Sequence, residues 1–238
     1  MDNLNKKPNK VIGILGGAGP AATASFFTDL IIISQNKYGA EQDTDFPKII
    51  LYNMPMEGFN ETGFSDPDLV KNQLIEGVKK LEKWGADFIV LPCNTVHFYI
   101  EEMRDSISIP IISIIESTTN EITKTDIKKV GILSSRSTRD LNLYKNIFEV
   151  KNIDVLIADD DEQNDLDGVV LKVMSGNQSN SEKDKINKIN SRMTDEGAKC
   201  IVLGCTEIPL AINQNDTDVK LLNTIRILAE YTVDEAYK

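Results

Sequence analysis

Two cysteines stand where thiols could work as acid and base: Cys93 in Leu91-Pro92-Cys93-Asn94-Thr95-Val96-His97 and Cys205 in Leu203-Gly204-Cys205-Thr206-Glu207-Ile208-Pro209. Each follows a short apolar run, Phe88-Ile89-Val90-Leu91 and Cys200-Ile201-Val202-Leu203, of the kind that forms a buried parallel strand entering a turn. Asn94, Thr95 and Thr206 then open helices or turns, whose first N–H groups bind a carboxylate and favour a nearby thiolate. A second matching pair of apolar runs, Val11-Ile12-Gly13-Ile14-Leu15 and Val130-Gly131-Ile132-Leu133, lies upstream of the cysteines at similar distances. The chain thus reads as one α/β unit used twice, with one thiol in each. If the units face each other, both thiols line one cleft. One thiol then takes a proton from beside a carbonyl and the other returns a proton to the opposite face, which inverts a stereocentre.

The elements that would hold these residues follow from the pattern. Strand Val11–Leu15 runs into Gly16-Gly17-Ala18-Gly19-Pro20, and Pro20 suits the first position of a helix over Ala21–Ser34. Strand Lys48–Tyr52 leads into a loop rich in breakers from Met54 to Gly63, and a long polar loop in a compact domain is often functional. Leu69, Leu74, Val78 and Leu81 give helical spacing within Asp66–Trp84, with Gly85 as its C-terminal cap. A helix over about Thr95–Asp105, a strand Ile109–Ile115 and a polar helix from Ser117 complete the first unit. The second repeats strand, loop and helix at Val130–Val150, adds strand Val155–Ala158, an acidic loop Asp159–Asp167 and helices flanking Lys183–Gly197, and ends on the Cys205 strand. The tail Leu221–Tyr237 is helical in pattern and is placed back on the first unit. The expected architecture is therefore α/β, two pseudo-symmetric parallel-sheet domains with the site in the cleft between them. Residues 1–118 with 219–238 carry Cys93, and residues 119–218 carry Cys205.

Composition limits the partners. The 238 residues are 41% hydrophobic with a formal net charge of −11, and without a dense Lys/Arg stripe this argues against nucleic acid. Met1–Lys10 is polar, and no run reaches the roughly 18 apolar residues of a membrane span. The expectation is a cytoplasmic enzyme with no membrane partner. Three cysteines, with neither a Cys-x-x-Cys nor a His-rich spacing, argue against structural disulfides and a metal cage.

The stretches Gly13-Ile14-Leu15-Gly16-Gly17-Ala18-Gly19-Pro20-Ala21-Ala22-Thr23, Pro92-Cys93-Asn94-Thr95-Val96-His97 and Gly204-Cys205-Thr206-Glu207 resemble the signatures of the cofactor-independent aspartate/glutamate racemase family, on the aspartate racemase side. The resemblance spans nearly the whole chain. It implies a small-molecule amino-acid substrate, neither pyridoxal phosphate nor a metal, and a homodimer. It makes Cys93 and Cys205 the two bases, Cys93 acting on the D-enantiomer and Cys205 on the L-enantiomer. By the same resemblance Asn94, Thr95 and Thr206 match positions that hold the α-carboxylate, and Ser135 and Thr138 match a side-pocket threonine motif in which this chain has serine first. The family's arginine after the second strand is missing: Asn53-Met54-Pro55-Met56-Glu57-Gly58-Phe59 stands there, with no basic residue between Lys48 and Lys71. Arg136, with Arg139 second, is the expected replacement for gripping a distal carboxylate, because a guanidinium binds carboxylates through two parallel hydrogen bonds.

Other readings of single features stand beside these. Cys200, inside an apolar run, is read as core. His97, the only histidine, is read as a packed side chain, one helical turn from Cys93. Glu207 either orients the Cys205 side or caps the following turn. The glycine loop, Gly17 included, either touches substrate or serves tight strand–helix packing. Gly17-Ala18-Gly19-Pro20-Ala21-Ala22 also fits the Gly-x-Gly-x-x-Ala dinucleotide fingerprint, the basis of a rival NAD-dependent oxidoreductase. A related cysteine-dependent isomerase or decarboxylase on another carboxylate is the nearer alternative. A two-domain binding module is the non-enzymatic one.

Overall fold

The apolar runs become the strands of two four-stranded sheets. In the computed structural model, which describes residues 6–60 and 62–238, the first half contains β1 (Ile12–Gly16), α1 (Pro20–Tyr38), β2 (Ile49–Asn53), β3 (Phe59–Asn60), β4 (Gly63–Phe64), α2 (Pro67–Lys83), β5 (Phe88–Val90), α3 (Ile100–Asp105), β6 (Ile111–Ile112) and α4 (Ile114–Thr123). The second half contains β7 (Lys129–Leu133), α5 (Arg136–Asp140), α6 (Leu143–Val150), β8 (Asp154–Ile157), α7 (Asp160–Met174), α8 (Asn180–Asp195), β9 (Ile201–Leu203), α9 (Ile208–Ala211), β10 (Leu221–Asn223) and α10 (Thr224–Ala236). Met1–Asn5 of the polar N-terminal stretch and Glu61 of the long loop lie outside the described residues.

The sheet orders are β2-β1-β5-β6 and β10-β9-β7-β8. Taken from its other end, the second sheet has the order of the first: second strand, first strand, third, fourth. All pairings in both sheets are parallel, with Ile12 opposite Ile49 and Phe88, and Ile201 opposite Gly131 and Leu221. The protein is thus a two-domain α/β molecule. The third strand of each sheet, β5 or β9, has neighbours on both sides and ends just before a site cysteine.

The two domains share one core. Between the sheets lie Phe26 and Leu30 of α1, Ile115 and Ile122 of α4, Tyr144 and Phe148 of α6, and Leu228 and Val233 of α10, with Ile14, Val90, Val130 and Val202 from the strands. Each fully buried side chain of this size contributes about 1.5–3 kcal/mol. The outer faces are covered separately, by α2 and α3 on one sheet and by α7 and α8 on the other. The helix after each fourth strand crosses to the other half: α4 packs on α6, and α10 packs on α1 and α4.

Several elements differ from the sequence reading. The segment Ile109–Ile115 is a strand only at Ile111–Ile112, because Ser113 accepts the amide of Glu116 and starts α4 three residues before Ser117. Thr95–Tyr99 is a 3-10 turn, with α3 following it. The acidic run is no loop: Asp159 caps α7, accepting the Glu162 amide while the Glu162 carboxylate accepts the Asp159 amide, and acidic groups favour that end of a helix. In α2 the buried stripe is Val70, Leu74, Val78 and Leu81, with Leu69 exposed. The tail does place a helix on the first unit, but Leu221–Asn223 is the strand that completes the second sheet. The division at 219 therefore separates β10 from the sheet it belongs to. Three residues continuous with a helix are too short for a two-residue alternation to show. Among the described residues no helix is long and apolar enough to cross a membrane.

Candidate active site

Cys93 and Cys205 follow equivalent third strands, and their turns meet at one small cavity. From the first domain it is lined by Ala18, Gly19, Phe59, Cys93, Asn94 and Thr95, and from the second by Ser135, Gly204, Cys205, Thr206 and Glu207. The site is closed: the free volume is about 30 Å³, space for a water and far short of an amino acid. Cys93 and Cys205 are 8% and 7% exposed. A larger hollow of about 380 Å³, lined by Phe27, Leu30, Ile31, Phe46, Pro47 and Ile49, has no ionisable side chain with which to move a proton.

The Cys205 thiol donates to Glu207 Oε2 at 3.1 Å, and the Thr206 hydroxyl donates to the same oxygen at 3.1 Å. Burial first, and then the negative charge of Glu207, push the Cys205 thiol well above its ordinary range. In this closed state Cys205 therefore holds its proton. A charge on Cys93 is felt at Cys205 as a further upward push, so the two sulfurs share one electrostatic environment. Cys200 differs. It is fully buried in the shared core, and burial pushes its thiol up to about 11.

His97 fixes the Cys93 turn from behind. Its Nε2 accepts the Ile114 amide at 3.2 Å, so in the neutral ring Nδ1 carries the hydrogen and donates to the Cys93 carbonyl at 2.8 Å. Burial holds this imidazole down, from 6.5 to about 4. It lines no part of the cavity; it ties the Cys93 turn to the start of α4.

Thr95, Ser135 and Thr138 form a triangle of hydroxyls across the domain boundary. Thr95 Oγ1 lies 2.8 Å from Thr138 Oγ1 and 3.2 Å from Ser135 Oγ, and Ser135 Oγ donates to Thr138 Oγ1 at 3.2 Å. Ser135 also caps α5 through the Thr138 amide. The Asn94 side chain accepts from the Tyr144 hydroxyl at 2.5 Å and donates to Thr224 Oγ1 at 3.4 Å. Tyr144 and Thr224 were not foreseen. Thr224 follows the unnoticed strand β10 as Ser113 follows β6, so the repeat would have indicated its place.

Two expected contacts lie elsewhere. Gly17 is not a cavity residue: its amide donates to Thr23 Oγ1 at 3.1 Å, its φ is +103°, and a Cβ there would meet the Met54 carbonyl oxygen at 2.1 Å. Its neighbours Ala18 and Gly19 line the cavity instead, and at Gly19, φ +89°, a Cβ would meet Glu207 Oε1 at 2.1 Å. The glycine loop thus approaches a carboxylate, the opposite of what a pyrophosphate site needs, which removes the support for the dinucleotide reading. Arg136 binds Asp167 and Asn164 on α7, each at 2.8 Å, and Arg139 binds Asp140 and Asp160. Neither guanidinium lines the cavity.

Comparison with known proteins places the chain among racemases in sequence and in fold. The family model for Asp/Glu/hydantoin racemase matches residues 15–232. Over 94% of its length the chain is 30% identical to the broad specificity amino-acid racemase RacX of Bacillus subtilis (strain 168), covering 96% of that protein. Among solved structures it resembles an aspartate racemase homologue from Pyrococcus horikoshii OT3, with a TM-score of 0.82 and 29% identity, covering 97% of this chain and 100% of that one. It also resembles the Picrophilus torridus aspartate racemase, with a TM-score of 0.82 and 27% identity, covering 96% of this chain and 94% of that one.

Proposed function

The chain belongs to the Asp/Glu/hydantoin racemase family and is an isomerase of the amino-acid racemase kind; from that premise we propose that it interconverts amino-acid enantiomers by a two-base mechanism in which Cys93 and Cys205 are the bases. One observation carries the reading: two thiols, one from each domain, line a single cavity at the ends of equivalent strands. A decarboxylase needs one proton donor, whereas inversion needs a group on each face.

In the direction that starts from the D-enantiomer, the Cys93 thiolate removes the α-proton and forms an S–H bond. The electron pair left at Cα spreads into the carboxylate, where the hydroxyls of Thr95 and Ser135, held by Thr138, and the amides of the Cys93 and Cys205 turns oppose the developing charge. Cys205 then gives its proton to the other face of Cα and is left as thiolate. The closed state holds Cys205 in the protonated form this step uses. In the reverse direction Cys205, as the thiolate left by the forward step, is the base and the Cys93 thiol returns the proton, while the Glu207 carboxylate, within hydrogen-bonding distance of Cys205, stays ionised. An α-ammonium group paired with Glu207 would offset the second cause of the raised Cys205 thiol, the Glu207 charge, and so shift Cys205 toward the thiolate while burial, the larger cause, remains.

The test is replacement of each thiol. Cys93→Ala and Cys205→Ala are each expected to lower the racemisation rate by roughly two to four orders of magnitude, while Cys200→Ala retains it. A Cys93→Ala protein with near-normal turnover would remove Cys93 from the mechanism.

A further inference from the structure

The charge arrangement in the cavity bears on the substrate of the reaction proposed above, and the inference drawn from it rests on that reading. Among the described lining residues the only formal charge is the Glu207 carboxylate; the other polar groups are hydroxyls, the Asn94 amide and the two thiols. None of the chain's 26 basic residues falls outside the described residues, and none lines the cavity. The two nearest in sequence to the lining residues, Arg136 and Arg139, are already engaged. Arg136 lies 2.7 Å from Asp167, whose side chain is 13% exposed. Turning this guanidinium toward a ligand would leave a mostly buried carboxylate unpaired, which is costly.

A zwitterionic amino acid matches what remains. Its α-ammonium complements Glu207, and its α-carboxylate complements the neutral donors of Thr95, Ser135 and the adjoining turns. A second carboxylate on the side chain would be buried near Glu207 without a cation. A cationic side chain would compete with the α-ammonium for the one carboxylate. A charge buried without a partner is disfavoured strongly. The wall left for a side chain is formed by Ala18 and by Phe59, whose ring packs on Phe64 at 5.3 Å between centroids. We propose that the substrate is an amino acid with an uncharged side chain, its α-ammonium group received by Glu207.

The experiment incubates wild-type protein in deuterium oxide with L-alanine, L-serine, L-methionine and L-leucine, and separately with L-aspartate, L-glutamate and L-lysine. Loss of the α-proton is followed by NMR and the enantiomers by chiral chromatography. The best uncharged substrate is expected to exceed each charged one in kcat/KM by at least roughly tenfold, the effect of one unpaired buried charge. Arg136→Ala is expected to leave that ratio unchanged. Aspartate, glutamate or lysine turned over as well as the best uncharged amino acid would overturn the inference and leave the racemase reading standing. A rise in KM for the acids alone in Arg136→Ala would overturn it in the same way. If no amino acid loses its α-proton, the racemase reading falls and the inference with it.

Discussion

Cys200 and Cys205 lie five positions apart, and their surroundings separate a core side chain from one that lines the cavity. Both thiols are raised by burial, but only Cys205 has a carboxylate within hydrogen-bonding distance and a second thiol in the same cavity. The sequence reading separates them because Cys200 lies inside the apolar run and Cys205 follows it. It could not decide the role of Glu207, since a residue two positions after a cysteine either caps a turn or faces the thiol, and the backbone path settles which. His97 is a packed residue, as its sequence context implied, and its burial has a consequence for stability. Its folded-state value of about 4 lies below the ordinary 6.5, so the unfolded chain takes up this proton first as pH falls. The contribution is complete above pH 6.5 and is lost as pH drops toward 4, about 3 kcal/mol in all. In denaturant titrations the stability advantage of wild type over His97→Asn is expected to shrink by that order between pH 7 and pH 4. Parallel pH profiles for the two proteins would show that His97 stays out of the linkage.

Among the elements, the glycine loop shows how two glycines separated by one residue come to do different work. Gly17 and Gly19 both have positive φ, yet added Cβ atoms meet different obstacles: the Met54 backbone at one and the end of the Glu207 side chain at the other. Backbone cannot yield, whereas a carboxylate can swing aside. Gly17→Ala is expected to lose stability by more than the roughly 1–3 kcal/mol of positive-φ strain alone. Gly19→Ala is expected to fold with a smaller loss and to drop in kcat about tenfold, because Glu207 is moved off Cys205. Thermal unfolding and initial rates measured on both variants check this, and a Gly19→Ala enzyme of undiminished kcat would show that the position of Glu207 is unimportant. The loop's existence was legible from Gly16-Gly17-Ala18-Gly19-Pro20, but which glycine faces the cavity was not, since that depends on Met54 and Glu207 arriving from distant parts of the chain. The acidic run differs from its sequence pattern for a related reason. Asp159–Asp167 looks like solvated loop until Asp159 and Glu162 are seen to form a capping box.

At the scale of the whole molecule, the repeat legible in four apolar runs and two cysteine motifs is the organising fact. Each half has the same strand order and presents its thiol after its third strand. The exchange of α4 and α10 across a common core was only half visible, in the return of the tail to the first unit, because α10 starts from a strand of three residues that the helical pattern of the tail concealed. The exchange matters for chemistry. It ties the domains through one core, so that the turns bearing Cys93 and Cys205 meet at a cavity neither half forms alone. The account requires the two thiols to serve opposite faces of Cα, and early-time isotope analysis in deuterium oxide tests that most directly. With a single enantiomer of a turned-over amino acid, the product of inverted configuration is expected to carry deuterium at Cα, delivered by the thiol that exchanges with solvent, while the remaining starting enantiomer stays protiated. Deuterium entering the starting enantiomer as fast as the product would mean that one group serves both faces, and would contradict the assignment of one base to each domain.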